Sequence, residues 1–171
     1  MPNAVQYGRH SIRLKGFNYS QAGLYFVTTC VEGKKKIFGR VFDGTVILEP
    51  AGAAVRDIWL GLDKRFAGAR FLDFVVMPNH FHGIVALVDA LPRRGAASSA
   101  PTARSLTLGK IMRAFKSLSA IEVNRTFGRR GGAVWQRNYW EHIVGHAGEL
   151  RTVREYIRQN PLRWDSDPEN I

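Results

Sequence analysis

The sequence predicts an α+β fold in which one antiparallel sheet carries helices on one face, akin to the split βαβ arrangement. Apolar runs and amphipathic stretches follow in the order strand, helix, strand, strand, helix, short strand, helix. The two central strands are separated only by a short turn, so they are expected to pair directly. With 171 residues, 45% of them hydrophobic, the chain can build one buried core.

The first half of the chain supplies two strand regions and one helix. Residues 24–31 are rich in aromatic and β-branched side chains, which is typical of a central strand. A smaller hairpin is predicted over residues 40–48, with its turn at Asp43-Gly44. Pro50 then opens a helix. Its apolar stripe is formed by Val55, Ile58, Trp59, Leu62 and Phe66.

The second half begins with a hairpin of residues 71–77 and 83–88 around the turn dipeptide Pro78-Asn79. A second helix is predicted to start near Ser105, and residues 133–136 are predicted to form a short strand. A final helix runs from about residue 147 to residue 160 and ends at Pro161.

One domain is expected to span residues 1–171. Within it, residues 1–20 form a basic lead-in and residues of about 92–104 form a flexible loop rich in Arg, Gly, Ala and Ser. Residues 164–171 form a short acidic tail.

Between the two central strands lies His80-Phe81-His82. Residues two apart on a strand point to the same face, so both imidazoles are expected to project together while Phe81 points the other way. Two neutral imidazoles side by side can bind a divalent cation. From these residues alone, a metal site and a structural pair remain about equally supported.

The charge distribution favours a polyanionic partner. The net charge is +11, and residues 93–163 hold 14 basic against 4 acidic side chains. Such an excess, interleaved with aromatic residues, favours nucleic-acid binding over mere solubility. The candidate phosphate contacts are Arg13, Lys15, Lys110, Arg113, Lys116 and Arg137.

Composition also restricts the cellular setting. No segment approaches the roughly 20 apolar residues of a membrane span, and the start of the sequence lacks the apolar core of a secretory signal. Cys30 is the single cysteine, which excludes an internal disulfide and a cysteine-built zinc site. A cytoplasmic protein without membrane partners is expected.

Tyr156 and Asn160 are four residues apart, so they share one face of the final helix. Alone, a tyrosine on a helix is usually structural. Beside an ion held by two histidines, however, its phenol could attack a phosphate and form a covalent phosphotyrosine bond. Such a bond would conserve the energy of the broken phosphodiester, so rejoining would need no ATP, and no nucleotide-binding loop is visible.

Three nearby residues offer alternatives. Tyr139 is a rival nucleophile, but it stands near Trp135 and Trp140 and lacks an amide one turn on, which favours packing or stacking on DNA. Glu141 and His142 could assist the metal or a proton transfer, although a hydrogen-bonded structural histidine is the more favoured interpretation.

His80-Phe81-His82 matches the histidine–hydrophobic–histidine motif of HUH endonucleases, and residues 74–83 resemble the same region of their single-tyrosine transposases. Residues 135–143 and 155–161 are similar, more narrowly, to REP-associated tyrosine transposases of bacteria. The resemblance runs from about Arg9 to Trp164.

This resemblance implies a ferredoxin-like core and a strand-transfer activity. By position, His80 and His82 would bind Mg²⁺ or Mn²⁺, Asn160 would be the third ligand, and Tyr156 would be the nucleophile. The substrate would be single-stranded DNA with palindromic hairpins, cleaved to a 5′-phosphotyrosine and a free 3′-hydroxyl.

A monomer is slightly favoured over a homodimer, in the bacterial cytoplasm and associated with the nucleoid. The alternatives are a nicking initiator of replication or conjugation and a non-catalytic hairpin-binding protein.

Overall fold

A computed structural model of the protein describes residues 22–88 and 106–170. The predicted lead-in with Arg13 and Lys15, and the predicted loop near residues 92–104, lie outside these ranges. The predicted acidic tail is described as far as residue 170.

The described residues form six strands and four α-helices. The strands are β1 (Gly23–Cys30), β2 (Gly39–Phe42), β3 (Thr45–Leu48), β4 (Ala69–Val76), β5 (His80–Leu87) and β6 (Trp140–Val144). The helices are α1 (Pro50–Leu60), α2 (Leu62–Arg65), α3 (Leu108–Thr126) and α4 (Ala147–Gln159), and 3₁₀ turns cover Glu32–Lys34 and Pro161–Ser166.

The sheet confirms the predicted α+β class and its ferredoxin-like pattern. Four strands lie in the order β4-β5-β1-β6 with antiparallel neighbours, and β2 pairs with β3 in a separate hairpin. In the chain, α1 lies between β1 and β4, and α3 lies between β5 and β6. Each helix thus connects strands separated in the sheet by one other strand, which is the split βαβ arrangement.

Two apolar clusters cover the two faces of the sheet. The larger one contains Trp59 of α1, Phe81 of β5 and Phe115 of α3, so these two helices share a face as predicted. The smaller one contains Phe26 of β1 and Ile157 of α4. Because side chains alternate along a strand, Phe26 points away from the larger cluster. Helix α4 covers this second face, so the prediction that all helices share one face is wrong for α4.

Strand positions in the second half differ from the prediction in two ways. The returning strand already begins at His80, so both histidines lie within β5. The predicted short strand over residues 133–136 contributes only a bridge between Val31 and Trp135, and the strand that completes the sheet is β6. Trp135 is instead a core residue, and its indole N–H donates to Ser119 Oγ at 2.9 Å.

None of the helices in the described ranges combines the length and the hydropathy that a membrane-spanning helix requires.

Gly83 lies where β5 meets the aromatic side chains of the larger cluster. A Cβ added there would lie 2.7 Å from Trp59 Cζ2 and 2.8 Å from Phe81 Cε1. We therefore expect Gly83→Ala to lower the free energy of unfolding by about 1–3 kcal/mol, measured by urea denaturation, because the core has no room for the methyl group.

Gly131→Ala is the matched control, since a Cβ at Gly131 has no neighbour within 4 Å. It should change the free energy of unfolding by less than about 0.5 kcal/mol. Equal effects of the two substitutions would contradict the packing described for this core.

Candidate active site

The sheet register places the two predicted metal-binding histidines side by side on one face. His80 lies opposite Cys30, and His82 lies opposite Thr28. Both imidazoles point to the face covered by α4, and their ring centroids are 4.6 Å apart. Their exposed fractions are 0% and 3%, so the pair is shielded from water.

Each imidazole is oriented by a hydrogen bond at Nδ1. His80 Nδ1 lies 2.8 Å from Asn79 Oδ1, and His82 Nδ1 lies 2.7 Å from Thr28 Oγ1. Because an amide oxygen only accepts, His80 donates at Nδ1, and the neutral ring then carries a lone pair at Nε2. A fixed tautomer of this kind is the usual support of a metal-binding histidine.

Burial keeps both rings neutral. It lowers the pKa of His80 to about 4, an effect that Asp167 partly offsets, that Lys34 reinforces and that Asn160 also partly offsets. The pKa of His82 also lies well below its ordinary value, mainly because of burial and further because of the neighbouring His80. At pH 7 neither ring has to lose a proton before it binds a cation.

Helix α4 brings the predicted nucleophile to the same place. The Tyr156 hydroxyl lies 3.5 Å from His82 Nε2 within one chain, and the two ring centroids are 5.3 Å apart. The Tyr156 ring also meets the edge of Phe26 at 5.9 Å. Asp73 of β4 holds α4 in position, because it forms ion pairs with Arg154 at 2.9 Å and with Arg158 at 3.3 Å.

Asn160, the predicted third ligand, is buried at the end of α4. Its backbone stays helical, with φ −56° and ψ −43°, although Pro161 follows. Its Nδ2 donates to Asp167 Oδ2 at 3.0 Å, whereas its Oδ1 has no hydrogen-bond partner within the described residues. The same is true of His80 Nε2. Two buried lone pairs without donors suit a site for a divalent cation.

Asp167, which was predicted to lie in an acidic tail, also belongs to this group. His80, His82 and Asp167 can each offer a ligand atom, and these atoms lie within 4.8 Å of one another. Asp167 is 8% exposed. The one hint in the sequence is Trp164, a large apolar residue in a polar tail. Its ring lies 6.1 Å from that of His80 and is 9% exposed, so the tail folds back onto the sheet.

The alternative residues have structural contacts. Tyr139 packs against the larger cluster, across the sheet from the histidine pair. His142 Nε2 lies 2.5 Å from Glu149 Oε1, and this contact, together with the Gly145 backbone N–H, holds the pKa of Glu149 below its ordinary value. His142 therefore links β6 to the start of α4, which agrees with the structural interpretation.

Of the four described phosphate-contact candidates, three are exposed and one is held by backbone carbonyls. Lys110 and Arg113 are exposed on α3, across the sheet, and Arg137 is exposed just before β6. Lys116 Nζ donates to the backbone carbonyls of residues 136, 137 and 138, at 2.6, 3.1 and 3.0 Å. Burial lowers the pKa of Lys116. Its three carbonyl contacts disfavour a phosphate contact and indicate that it holds the loop before β6.

The lowered pKa of His80 should make the metal-free protein sensitive to mild acid. The unfolded chain takes up this proton near pH 6.5, whereas the folded chain takes it up near pH 4. The stability that neutral His80 contributes is therefore fully present above pH 6.5 and falls as the pH drops towards 4. Between pH 7 and 5 we expect a loss of about 2 kcal/mol from this residue, measured by urea unfolding with a chelator present. His80→Gln should flatten the curve by that amount, and an unchanged curve would contradict the assignment.

Comparison with known proteins relates part of the chain to a known family. Residues 101–160, which include Tyr156 and Asn160, match the family described as IS200-like transposase. An uncharacterized protein of Haemophilus influenzae is 35% identical over 175 aligned positions, which cover 96% of this chain and 94% of the relative.

The fold is also similar to a solved structure. A REP-associated tyrosine transposase bound to a REP hairpin superimposes with a TM-score of 0.57 and 18% identity, over 86% of this chain and 71% of that one. The family resemblance inferred from the sequence is confirmed. Over residues 101–160 the chain matches the IS200-like transposases, a family of enzymes that act on DNA.

Proposed function

We propose that this protein is a metal-dependent strand transferase that cleaves and rejoins single-stranded, hairpin-forming DNA through Tyr156. The observation that carries the proposal is the 3.5 Å separation between the Tyr156 hydroxyl and His82 Nε2, inside a site built by one chain. A phenol that merely packed on a helix would not need to meet a buried imidazole pair.

His80, His82 and Asn160 would hold the cation, Mg²⁺ or Mn²⁺. They offer two neutral imidazole nitrogens and one amide oxygen, and His80 Nε2 and Asn160 Oδ1 are buried without hydrogen-bond partners among the described residues. When bound, such an ion supplies Lewis-acid activation of the phosphate.

Tyr156 Oη attacks the phosphorus atom and loses its proton, and the bond from phosphorus to the 3′ oxygen breaks. The products are a 5′-phosphotyrosine and a 3′-hydroxyl that has gained a proton. Attack by a 3′-hydroxyl on the phosphotyrosine reverses the exchange and rejoins DNA without an external energy source. Asp73 supports this step, because its pairs with Arg154 and Arg158 fix the helix that carries the phenol.

DNA would be held mainly through its phosphates. The net charge of +11 supports this, and the hairpin-bound structure with a similar fold supports a hairpin as the substrate. Lys110, Arg113 and Arg137 remain candidate contacts. Since α3 lies across the sheet from the histidines, Lys110 and Arg113 would reach DNA away from the cleaved phosphate, such as a hairpin stem. Such an enzyme would work as a monomer, at the nucleoid in the bacterial cytoplasm.

Tyr156→Phe should abolish a covalent protein–DNA adduct, because it removes the attacking oxygen and leaves the ring in place. The measurement is denaturing electrophoresis of the purified chain after incubation with labelled hairpin DNA and Mn²⁺. Tyr139→Phe is the matched control, since it removes the hydroxyl of the rival tyrosine, and it should form the adduct at close to the wild-type rate. A chelator should prevent the adduct in the wild-type protein and in Tyr139→Phe.

Other outcomes separate the alternatives. An adduct that persists in Tyr156→Phe but is lost in Tyr139→Phe would make Tyr139 the nucleophile. Hairpin binding with no adduct under any metal condition would favour a non-catalytic binding protein.

A further inference from the structure

We infer that Asp167 is a fourth ligand of the divalent cation, presented by the segment that follows α4. This inference rests on the metal site of the proposed function and adds a carboxylate to its donor set. The segment consists of the 3₁₀ turn Pro161–Ser166 and the residues after it.

The separation between Asp167 and His80 fits a shared ion better than a direct contact. His80 Nε2 lies 3.9 Å from Asp167 Oδ2, which is too long for a hydrogen bond. Ligands about 2.1 Å from one octahedral ion lie about 3 Å apart when adjacent and about 4.2 Å apart when opposite. The observed distance of 3.9 Å is closer to the longer of these two values, and His80 Nε2 has no hydrogen-bond partner in the described part of the chain.

The charge balance also points to a cation. Asp167 is 8% exposed, and its side chain accepts from two neutral donors, Asn160 Nδ2 at 3.0 Å and the Glu169 backbone N–H at 2.7 Å. Within residues 22–88 and 106–170, no lysine or arginine side chain lies within ion-pair distance of it, and the nearest basic side chain is His80, with Nε2 at 3.9 Å. A buried carboxylate is costly unless a positive charge accompanies it. A divalent ion between the imidazoles and this carboxylate would supply that charge.

The carboxylate is held in place rather than carried on a free end. Asn79 Nδ2 donates to the Glu169 backbone carbonyl at 2.6 Å, and Lys34 forms an ion pair with the Glu169 side chain. Trp164 is buried against the His80 ring. The same Asn79 side chain orients His80 through Oδ1, so one residue sets the positions of two of the inferred ligands.

Asn160 has a double role in this arrangement. Its Nδ2 orients Asp167, and its Oδ1 remains available to the ion. The full donor set then has two nitrogens and two oxygens, one of them anionic. A site that includes a carboxylate suits hard cations such as Mg²⁺ and Mn²⁺ better than a site of imidazoles alone does.

The test measures Mn²⁺ binding by the full-length metal-free protein without DNA. Binding is quantified from the electron paramagnetic resonance signal of free Mn²⁺ and by calorimetry. Asp167→Asn should weaken Mn²⁺ binding at least about tenfold, because the loss even of a group that only supports a ligand commonly costs that much. Asp165→Asn is the matched control: it removes the same charge from an exposed position two residues earlier in the same segment and should change the affinity less than about twofold.

Asp167→Glu keeps the carboxylate and should retain more affinity than Asp167→Asn. Urea unfolding of each metal-free variant verifies that the chain is folded, and the glutamate variant replaces the asparagine variant if the latter is not. Wild-type affinity in Asp167→Asn, or in a folded Asp167→Glu a loss as complete as in His80→Ala, would overturn the inference. Tighter binding in Asp167→Asn would overturn it too, since the carboxylate would then be an obstacle.

The covalent adduct separates this inference from the proposed function. If the wild-type protein forms the Tyr156 adduct and Asp167→Asn leaves Mn²⁺ binding unchanged, only the fourth ligand is wrong. If the wild-type protein binds Mn²⁺ through Asp167 and never forms an adduct, the metal site stands and the strand-transfer proposal fails.

Discussion

The two-residue spacing of His80 and His82 on a central strand is the constraint on which the site depends. Since β5 is hydrogen-bonded to β4 on one side and β1 on the other, its backbone cannot shift without breaking two ladders. The intervening Phe81 points to the opposite face, where its ring lies 4.6 Å from Trp59 and 4.8 Å from Phe115. These aromatic contacts therefore anchor the strand segment that presents the imidazoles.

The two faces of the sheet divide the work of the fold. One face, with α1 and α3, buries most of the core and supplies stability. The other is covered by α4, whose apolar contacts are fewer and whose position is secured by Asp73 at the neighbouring strand. The candidate active site thus lies on the face where α4 presents Tyr156 and Asn160 next to the sheet.

Local periodicity predicted which site residues share a face of one strand or one helix, but not how distant elements pair. The i, i+2 spacing on a strand and the i, i+4 spacing on a helix each predicted a shared face, and the structure brings those two faces together. Strand β6 and the position of α4 were missed, because each depends on pairing with residues distant in the chain. Asp167 was missed because it reaches Asn160 only after the 3₁₀ turn that begins at Pro161, and no helical or strand repeat links residues seven apart across such a turn.

Asn79 joins the β4–β5 turn to the last described residues of the chain. Its amide donates to the Glu169 carbonyl while its oxygen meets the His80 ring. An affinity tag fused at this end, or trimming by a protease, would therefore act on an imidazole some ninety positions earlier in the sequence. Material intended for biochemistry should therefore keep residues 161–170 intact.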